Sequence, residues 1–387
     1  MKILTFLLCA LLLTGCSGSD PAETVPSTAP AETTVPATTP TDPVTEETVP
    51  PDPIREMMND MSLEERVGQL FLARCDDSVA LEDIRNYHLG GFVLFSADFE
   101  NQTPDSFLAK MLAYQSNAGI PLLIAVDEEG GTVTRISRYP AFRASAFSSP
   151  RDAYASGGLE GALRNEEEKC RLLASLGINV NLGPVCDITT DPAAFMYPRS
   201  LGQSPTVTAR YVADTVTLMD SYGVGSALKH FPGYGNNTDT HTGIALDSRS
   251  LDSLQQADLY PFQTGIQAGC GAIMVSHTIV QALDETLPAS LSPVVHQFLR
   301  RAMGFEGVII TDDLVMQAIT DLYGAGEAAV MAVLAGNDLL CSTDYRTQYN
   351  AVLAAVLDGR IDIDTLNNAV RNVLEWKQSL GLLLTDE

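Results

Sequence analysis

Short apolar runs alternate with amphipathic stretches along most of this chain. The runs are Gln69–Cys75, Gly91–Phe95, Leu122–Asp127, Asn179–Pro184, Ser226–His230, Ala272–His277, Val308–Asp312 and Asp338–Ser342. Their length and their content of Val, Ile and Leu suit strands buried on both faces. Between them, Ser106–Ser116, Asn165–Ser175, Val207–Tyr222, Leu254–Gln267, Val294–Met303 and Glu327–Leu334 carry apolar residues at helical spacing. Eight such strands separated by helices predict parallel β/α units. Eight units can close on themselves, so the expected fold is a single (β/α)8 barrel of the TIM type, irregular strands allowed. A doubly wound open sheet is the competing architecture. No G-x-G-x-x-G follows the first strands, which weakens a dinucleotide-binding version of it.

The residues before Ile54 follow neither period. Lys2 precedes the apolar run Ile3–Leu13, which leads into Leu13-Thr14-Gly15-Cys16. That run is too short to span a bilayer and fits a secretory signal. Its ending is similar to the bacterial lipobox, which implies cleavage before Cys16 and a lipid on that thiol. Residues 17–53 hold nine Pro, nine Thr and seven Asp or Glu, with no Lys, Arg or aromatic residue. Such a segment buries too little apolar surface to fold and reads as an extended tether. The expected layout is a signal peptide at 1–15, a lipidated cysteine and linker at 16–53, and a catalytic barrel at 54–387. The expected location is extracytoplasmic, lipid-anchored to the bacterial cell membrane.

Composition narrows the function classes. The formal charge of −26, from 23 basic and 49 acidic residues, argues against nucleic acid or an anionic membrane surface as a partner. Beyond Cys9 and Cys16, five cysteines remain at 75, 170, 186, 270 and 341, without metal-type spacing. They read as buried thiols rather than as disulfides, and neither a metal nor a cofactor is expected.

Polar residues cluster where the predicted strands end. Asp127 closes L-L-I-A-V-D, Asp187 follows V-N-L-G-P-V-C, Lys229-His230 close G-S-A-L-K-H, His277 closes A-I-M-V-S-H, and Asp312-Asp313 close G-V-I-I-T-D-D. In a (β/α)8 barrel the C-terminal strand ends form one mouth, so these groups should converge on a pocket for a polyhydroxylated ligand. The stretch K-H-F-P-G-Y-G at 229–235, followed by Asp239-Thr240-His241, is the most specific. It resembles the K-H-F-P-G-H-G…D-[ST]-H signature of glycoside hydrolase family 3 β-N-acetylhexosaminidases, the NagZ-like branch. Asp127-Glu128-Glu129-Gly130-Gly131, Asn179–Asp187, Pro198-Arg199-Ser200 and Thr311-Asp312-Asp313-Leu314 follow that family's order.

The resemblance implies a retaining exo-acting enzyme that removes terminal β-linked GlcNAc from glycoconjugates or cell-wall fragments. Asp312 would be the nucleophile, and His241, oriented by Asp239, the acid/base. Asp127, Arg135, Arg199, Lys229 and His230 would hold sugar hydroxyls. Asp313 reads instead as the cap of a following helix. Asp187, His277 and Trp376 read as structural. Two positions depart from the family pattern: Tyr234 stands where a second His is usual, and Thr132 where Arg is common after the glycine pair. Tyr234 keeps a family 3 β-glucosidase open as an alternative. A histidine acid/base, which does not repel phosphate, keeps a phosphorylase open. From another class, the tether also suits a non-catalytic sugar-binding lipoprotein.

Overall fold

A computed structural model describes residues 52–237, 239–240 and 243–383. The signal, Cys16, nearly all of the linker and His241 lie outside the described residues. Among the described residues ten strands occur in chain order: β1 (Phe71–Arg74), β2 (Gly91–Leu94), β3 (Leu123–Val126), β4 (Val180–Asn181), β5 (Gly225–Phe231), β6 (Leu246–Asp247), β7 (Ala272–Val275), β8 (Ile279–Val280), β9 (Val308–Thr311) and β10 (Leu340–Ser342). Eight of them form one parallel sheet in the order β10-β1-β2-β3-β4-β5-β7-β9. The parallel bridge Ile310↔Leu339 joins its two ends, so the sheet curls into a (β/α)8 barrel rather than lying open. Every predicted strand is present. The small parallel pair β6–β8, Leu246↔Ile279 and Asp247↔Val280, was not foreseen; its strands are two residues long and carry no readable period.

Two helical predictions change in form. Leu254–Gln267 divides into Leu251–Gln256 and Leu259–Gln267, broken at Ala257, where the next residue, Asp258, turns its carboxylate onto Arg249 at 2.6 Å. Val294–Met303 starts as an α-helix over Pro293–Gln297 and widens to a π-turn over Phe298–Ala302. All five cysteines of the folded part are buried and unpaired, as expected.

The barrel interior is packed and closed at one end. Leu72, Val93, Leu123, Val180, Leu182, Met274, Val308, Ile310 and Cys341 fill it, with the small Ala125, Ala227 and Ala272 admitting their larger neighbours. Helix Ile363–Ser379 contributes Val373 and Trp376 to this same cluster. Trp376 lies at the N-terminal ends of β5 and β7: a Cβ added at Gly271 would meet its Nε1 at 2.1 Å, and one at Gly225 its ring at 3.0 Å. The predicted core role of Trp376 is therefore met by plugging the bottom of the barrel. At the other end Val93, Leu182, Met274 and Cys341 form the floor of an open cavity.

Helix Ile363–Ser379 also buries Lys377, whose ammonium donates to Gln69 Oε1 at 2.7 Å. A neutral amide replaces little of the lost hydration, and burial pushes this lysine down to about 7. The unfolded chain binds that proton with ordinary lysine affinity. Between about pH 7 and 10 the unfolded state therefore holds more protons, and stability should rise with pH by up to about 1.4 kcal/mol per unit. Urea denaturation across this window should show that rise in the wild type and its loss in Lys377→Met. An identical slope in both proteins would contradict the downward shift of Lys377.

Candidate active site

Backbone irregularities at the strand ends aim the polar side chains. Strand β4 is two residues long, and side-chain amides continue its pairing. Asn179 accepts from Ile124 N at 2.8 Å and donates to Leu122 O at 3.0 Å, while Asn181 accepts from Glu128 N at 3.0 Å. The register of β5 against β7 shifts between Leu228 and Phe231, and the Lys229–His230 peptide is cis. A regular strand would send adjacent side chains to opposite faces. Across this irregular stretch both Lys229 and His230 line the cavity.

The loop after β3 is built around a buried carboxylate. Glu128 accepts from Arg135 N and Ile136 N, both at 2.8 Å, and from Ser137 Oγ at 2.5 Å. This folds the loop back and brings the Arg135 guanidinium 3.6 Å from Asp127. Gly130 allows the turn: its φ is +97°, and a Cβ there would meet Ser148 O at 2.1 Å. The loop that presents Arg199 is held by Arg151, which donates to Thr189 O, Tyr197 O and Ser200 Oγ, each at 3.0 Å.

A cavity of about 950 Å³ opens at the C-terminal ends of the barrel strands. Asp127, Arg135, Arg199, Lys229, His230, Asp239 and Asp312 all line it. Of the groups predicted for the cavity, only His241 lies outside the described residues.

The centre of the site is an ion cluster. Lys229 Nζ lies 2.5 Å from Asp127 Oδ1 and 2.7 Å from Glu129 Oε1. Glu129 also receives the fork of Arg199, Nε to Oε2 at 2.9 Å and Nη2 to Oε1 at 2.7 Å. Burial would raise the Glu129 carboxyl, but Arg199 and Lys229 overcome it and hold the group well below the usual carboxylate range. Burial likewise opposes charge on Lys229, and Asp127 and Glu129 keep it above the ordinary lysine value. Arg199 Nη2 further contacts His230 Nε2 at 3.2 Å, and His230 Nδ1 lies 2.8 Å from Asp187 Oδ2. A guanidinium only donates and a carboxylate only accepts, so Nε2 faces a donor and Nδ1 an acceptor, which fixes the orientation of the ring.

Glu129 is the main residue that reading the strand ends missed. It follows the predicted Asp127 by two positions, but nothing local says that it joins one cation from a distant strand and another from a distant loop. Asp187 and His277 are structural, as expected. Asp187 accepts from His230 N and Tyr234 N at 3.1 and 2.7 Å. His277 Nε2 donates to the Asp313 carbonyl at 3.0 Å. The expectation for Asp313 needs correction. The next helix begins only at Gln317, and Asp313 accepts instead from Val315 N and Thr343 N, both at 3.2 Å, and from Thr343 Oγ1 at 2.5 Å. Tying β9 to β10 leaves it unsuited to cap a helix four residues away. Asp312 continues the β9 ladder through its N–H to Val275 O at 3.1 Å, and one of its carboxylate oxygens accepts from Asp313 N at 2.9 Å.

Residues 62–376 match the model of the glycosyl hydrolase family 3 N terminal domain. The chain belongs to glycosyl hydrolase family 3. Among family members, beta-hexosaminidase A of Pseudoalteromonas piscicida is 32% identical over 327 residues, 77% of this chain and 55% of that protein. The beta-hexosaminidase LpqI of Mycobacterium tuberculosis is 31% identical over 288 residues, 72% of each. The chain thus spans little more than half the length of the first relative and most of the second. In three dimensions it is similar to a family 3 β-N-acetylglucosaminidase from Paenibacillus sp. str. FPU-7. That match has a TM-score of 0.77 and 32% identity, and covers 84% of this chain and 65% of that one. The structure of LpqI matches with a TM-score of 0.76 and 28% identity over 84% of this chain and 96% of its own.

The ion cluster predicts an asymmetry between its two acids. Glu129→Gln removes the charge shared by two buried cations and should lower stability at pH 7 by about 3–5 kcal/mol. Asp127→Asn, at the wetter edge of the cluster, should lower it by about 1 kcal/mol. Urea midpoints of the two variants measure the difference, and equal losses would contradict the central place given to Glu129.

Proposed function

We propose that this protein is a retaining, exo-acting β-N-acetylhexosaminidase that removes terminal β-linked GlcNAc from cell-wall fragments or other glycoconjugates. The observation that carries this reading is the barrel-mouth cavity that Asp312 lines together with Asp127, Arg199 and Lys229, all three held in one ion cluster with Glu129 behind them. Paired acids and forked donors of this kind suit vicinal sugar hydroxyls. The relatives named beta-hexosaminidase support the choice of sugar.

In the first step the Asp312 carboxylate attacks the anomeric carbon while the bond to the leaving oxygen breaks. His241 gives its proton to that oxygen, the alcohol departs, and a glycosyl ester remains on Asp312. In the second step water attacks the same carbon, its proton passes to His241, and the ester bond breaks to free Asp312. Two inversions leave the β configuration of the sugar. Asp239, a neighbouring carboxylate in the cavity wall, favours the imidazolium needed for the first step. Asp127 accepts from the substrate hydroxyls, Arg135, Arg199 and Lys229 donate to them, and His230 is held in place by Asp187.

A panel of aryl β-glycosides of GlcNAc, GalNAc, glucose and xylose, with and without phosphate, tests the reading. The GlcNAc glycoside should be cleaved fastest and yield free sugar in both buffers. Asp312→Asn should lower turnover by at least about 10⁴-fold with the fold intact, and a 2-fluoro glycoside should label Asp312. Sugar 1-phosphate as the main product, a glucoside preference, or label on Asp313 would overturn the assignment.

The same reading puts the enzyme on the outer side of the bacterial membrane, with residues 17–53 as the tether and lipid on Cys16. Support comes from Leu13-Thr14-Gly15-Cys16 and from the composition of the linker. Cys16→Ala should move the protein out of the membrane fraction or leave its signal uncleaved. Normal processing and retention in that variant would refute the anchor.

A further inference from the structure

We infer that Tyr234 is a positioning residue for proton transfer, acting through Thr240; the inference rests on the Asp239/His241 reading above. Tyr234 occupies the place of the second histidine of the family signature, and its side chain lies beside the cavity, almost fully buried. Three of its contacts are with the sugar-binding side of the site. Its backbone N–H donates to Asp187 Oδ1 at 2.7 Å, on the same carboxylate that holds His230. Its ring meets the His230 ring edge-on, with centroids 5.2 Å apart, and tilts against Phe195 at 5.9 Å.

The fourth contact crosses to the other side. The Tyr234 phenol is hydrogen-bonded to the Thr240 hydroxyl, and Thr240 is fully buried. In sequence Thr240 stands between Asp239, which lines the cavity, and His241. Tyr234 therefore links the Asp187–His230 pair, through its N–H and the edge of its ring, to the backbone that carries Asp239. An imidazole at 234 is shorter than a phenol and would not span this gap. Two hydroxyls can each donate or accept, and water cannot easily replace either partner at a buried contact, so losing the bond frees the segment. The near end is fixed separately, by Thr189 Oγ1 to Asn236 Oδ1 at 2.9 Å and Asn237 N to Tyr234 O at 3.1 Å. The phenol bonds instead to Thr240, the sequence neighbour of both Asp239 and His241.

The test is Tyr234→Phe, which removes one oxygen and keeps the ring. For β-GlcNAc substrates with poor leaving groups, which need protonation, kcat/KM should fall about tenfold. For dinitrophenyl GlcNAc, which does not, it should fall less than about twofold. Thr240→Val should give the same pattern, and the double variant should lose no more than either single one. Affinity for free GlcNAc should not change. Equal losses across leaving groups, or additive losses in the double variant, would overturn the inference in favour of a packing role. A second measurement does not depend on turnover: amide hydrogen exchange at residues 239–245 should speed up in Tyr234→Phe and stay unchanged around Asp127. If the wild type cleaves no GlcNAc glycoside, the proposed function fails by itself, and unchanged exchange in Tyr234→Phe would then overturn the positioning role.

Discussion

Lys229 is an ammonium with almost no access to water, and the rest of the site is arranged around keeping it charged. Its two acids come from the loop after β3, its neighbour His230 is oriented from the loop after β4, and Arg199 reaches in from the loop that Arg151 holds. A buried ion pair stabilises a fold only where the remaining donors and acceptors are also satisfied. Here Glu129 accepts three hydrogen bonds from two cations, and Asp127 keeps an edge toward the cavity. The cluster is thus a preorganised set of donors and acceptors whose internal bonds are already made without a ligand.

Such a cluster needs a rigid base, which the barrel supplies. Trp376 and Val373 close the bottom, branched side chains fill the middle, and Met274, Leu182, Val93 and Cys341 end as the cavity floor. The same packing that stabilises the barrel therefore sets the depth of the site. Polar groups of the cavity wall are carried above this floor by loops tied down through side-chain bonds: Glu128 beneath Arg135, Arg151 beneath Arg199, Asp187 beneath His230 and Tyr234, and Asp313 between β9 and β10.

The chemistry proposed for the protein divides along the same lines. Asp312 extends directly from β9 and shares the rigidity of the ladder. Asp239 belongs to the connection between β5 and β6, and the Tyr234–Thr240 bond is one of the contacts made there. A nucleophile must meet one carbon, and its place is set by the fold.

Strand number, parallel order and the gathering of Asp127, Lys229, His230 and Asp312 at one mouth were determined by the sequence alone. Each depends on a short apolar run and the polar residue that ends it, and that information is local. Other features were decided only by the tertiary structure. Lys229 and His230 are neighbours that a regular strand would point in opposite directions; the register shift in β5 brings both to the cavity. Glu129 joins the cluster because strands about a hundred residues apart in sequence bring Lys229 to it, and no spacing within D-E-E-G-G records that. Asp313 has the look of a helix cap, yet it bonds to Thr343 because the barrel sets β9 beside β10. Local periodicity fixes which way a chain segment is buried. The partners of a buried charge are selected by closure of the whole barrel, because only closure removes the water that would otherwise take their place.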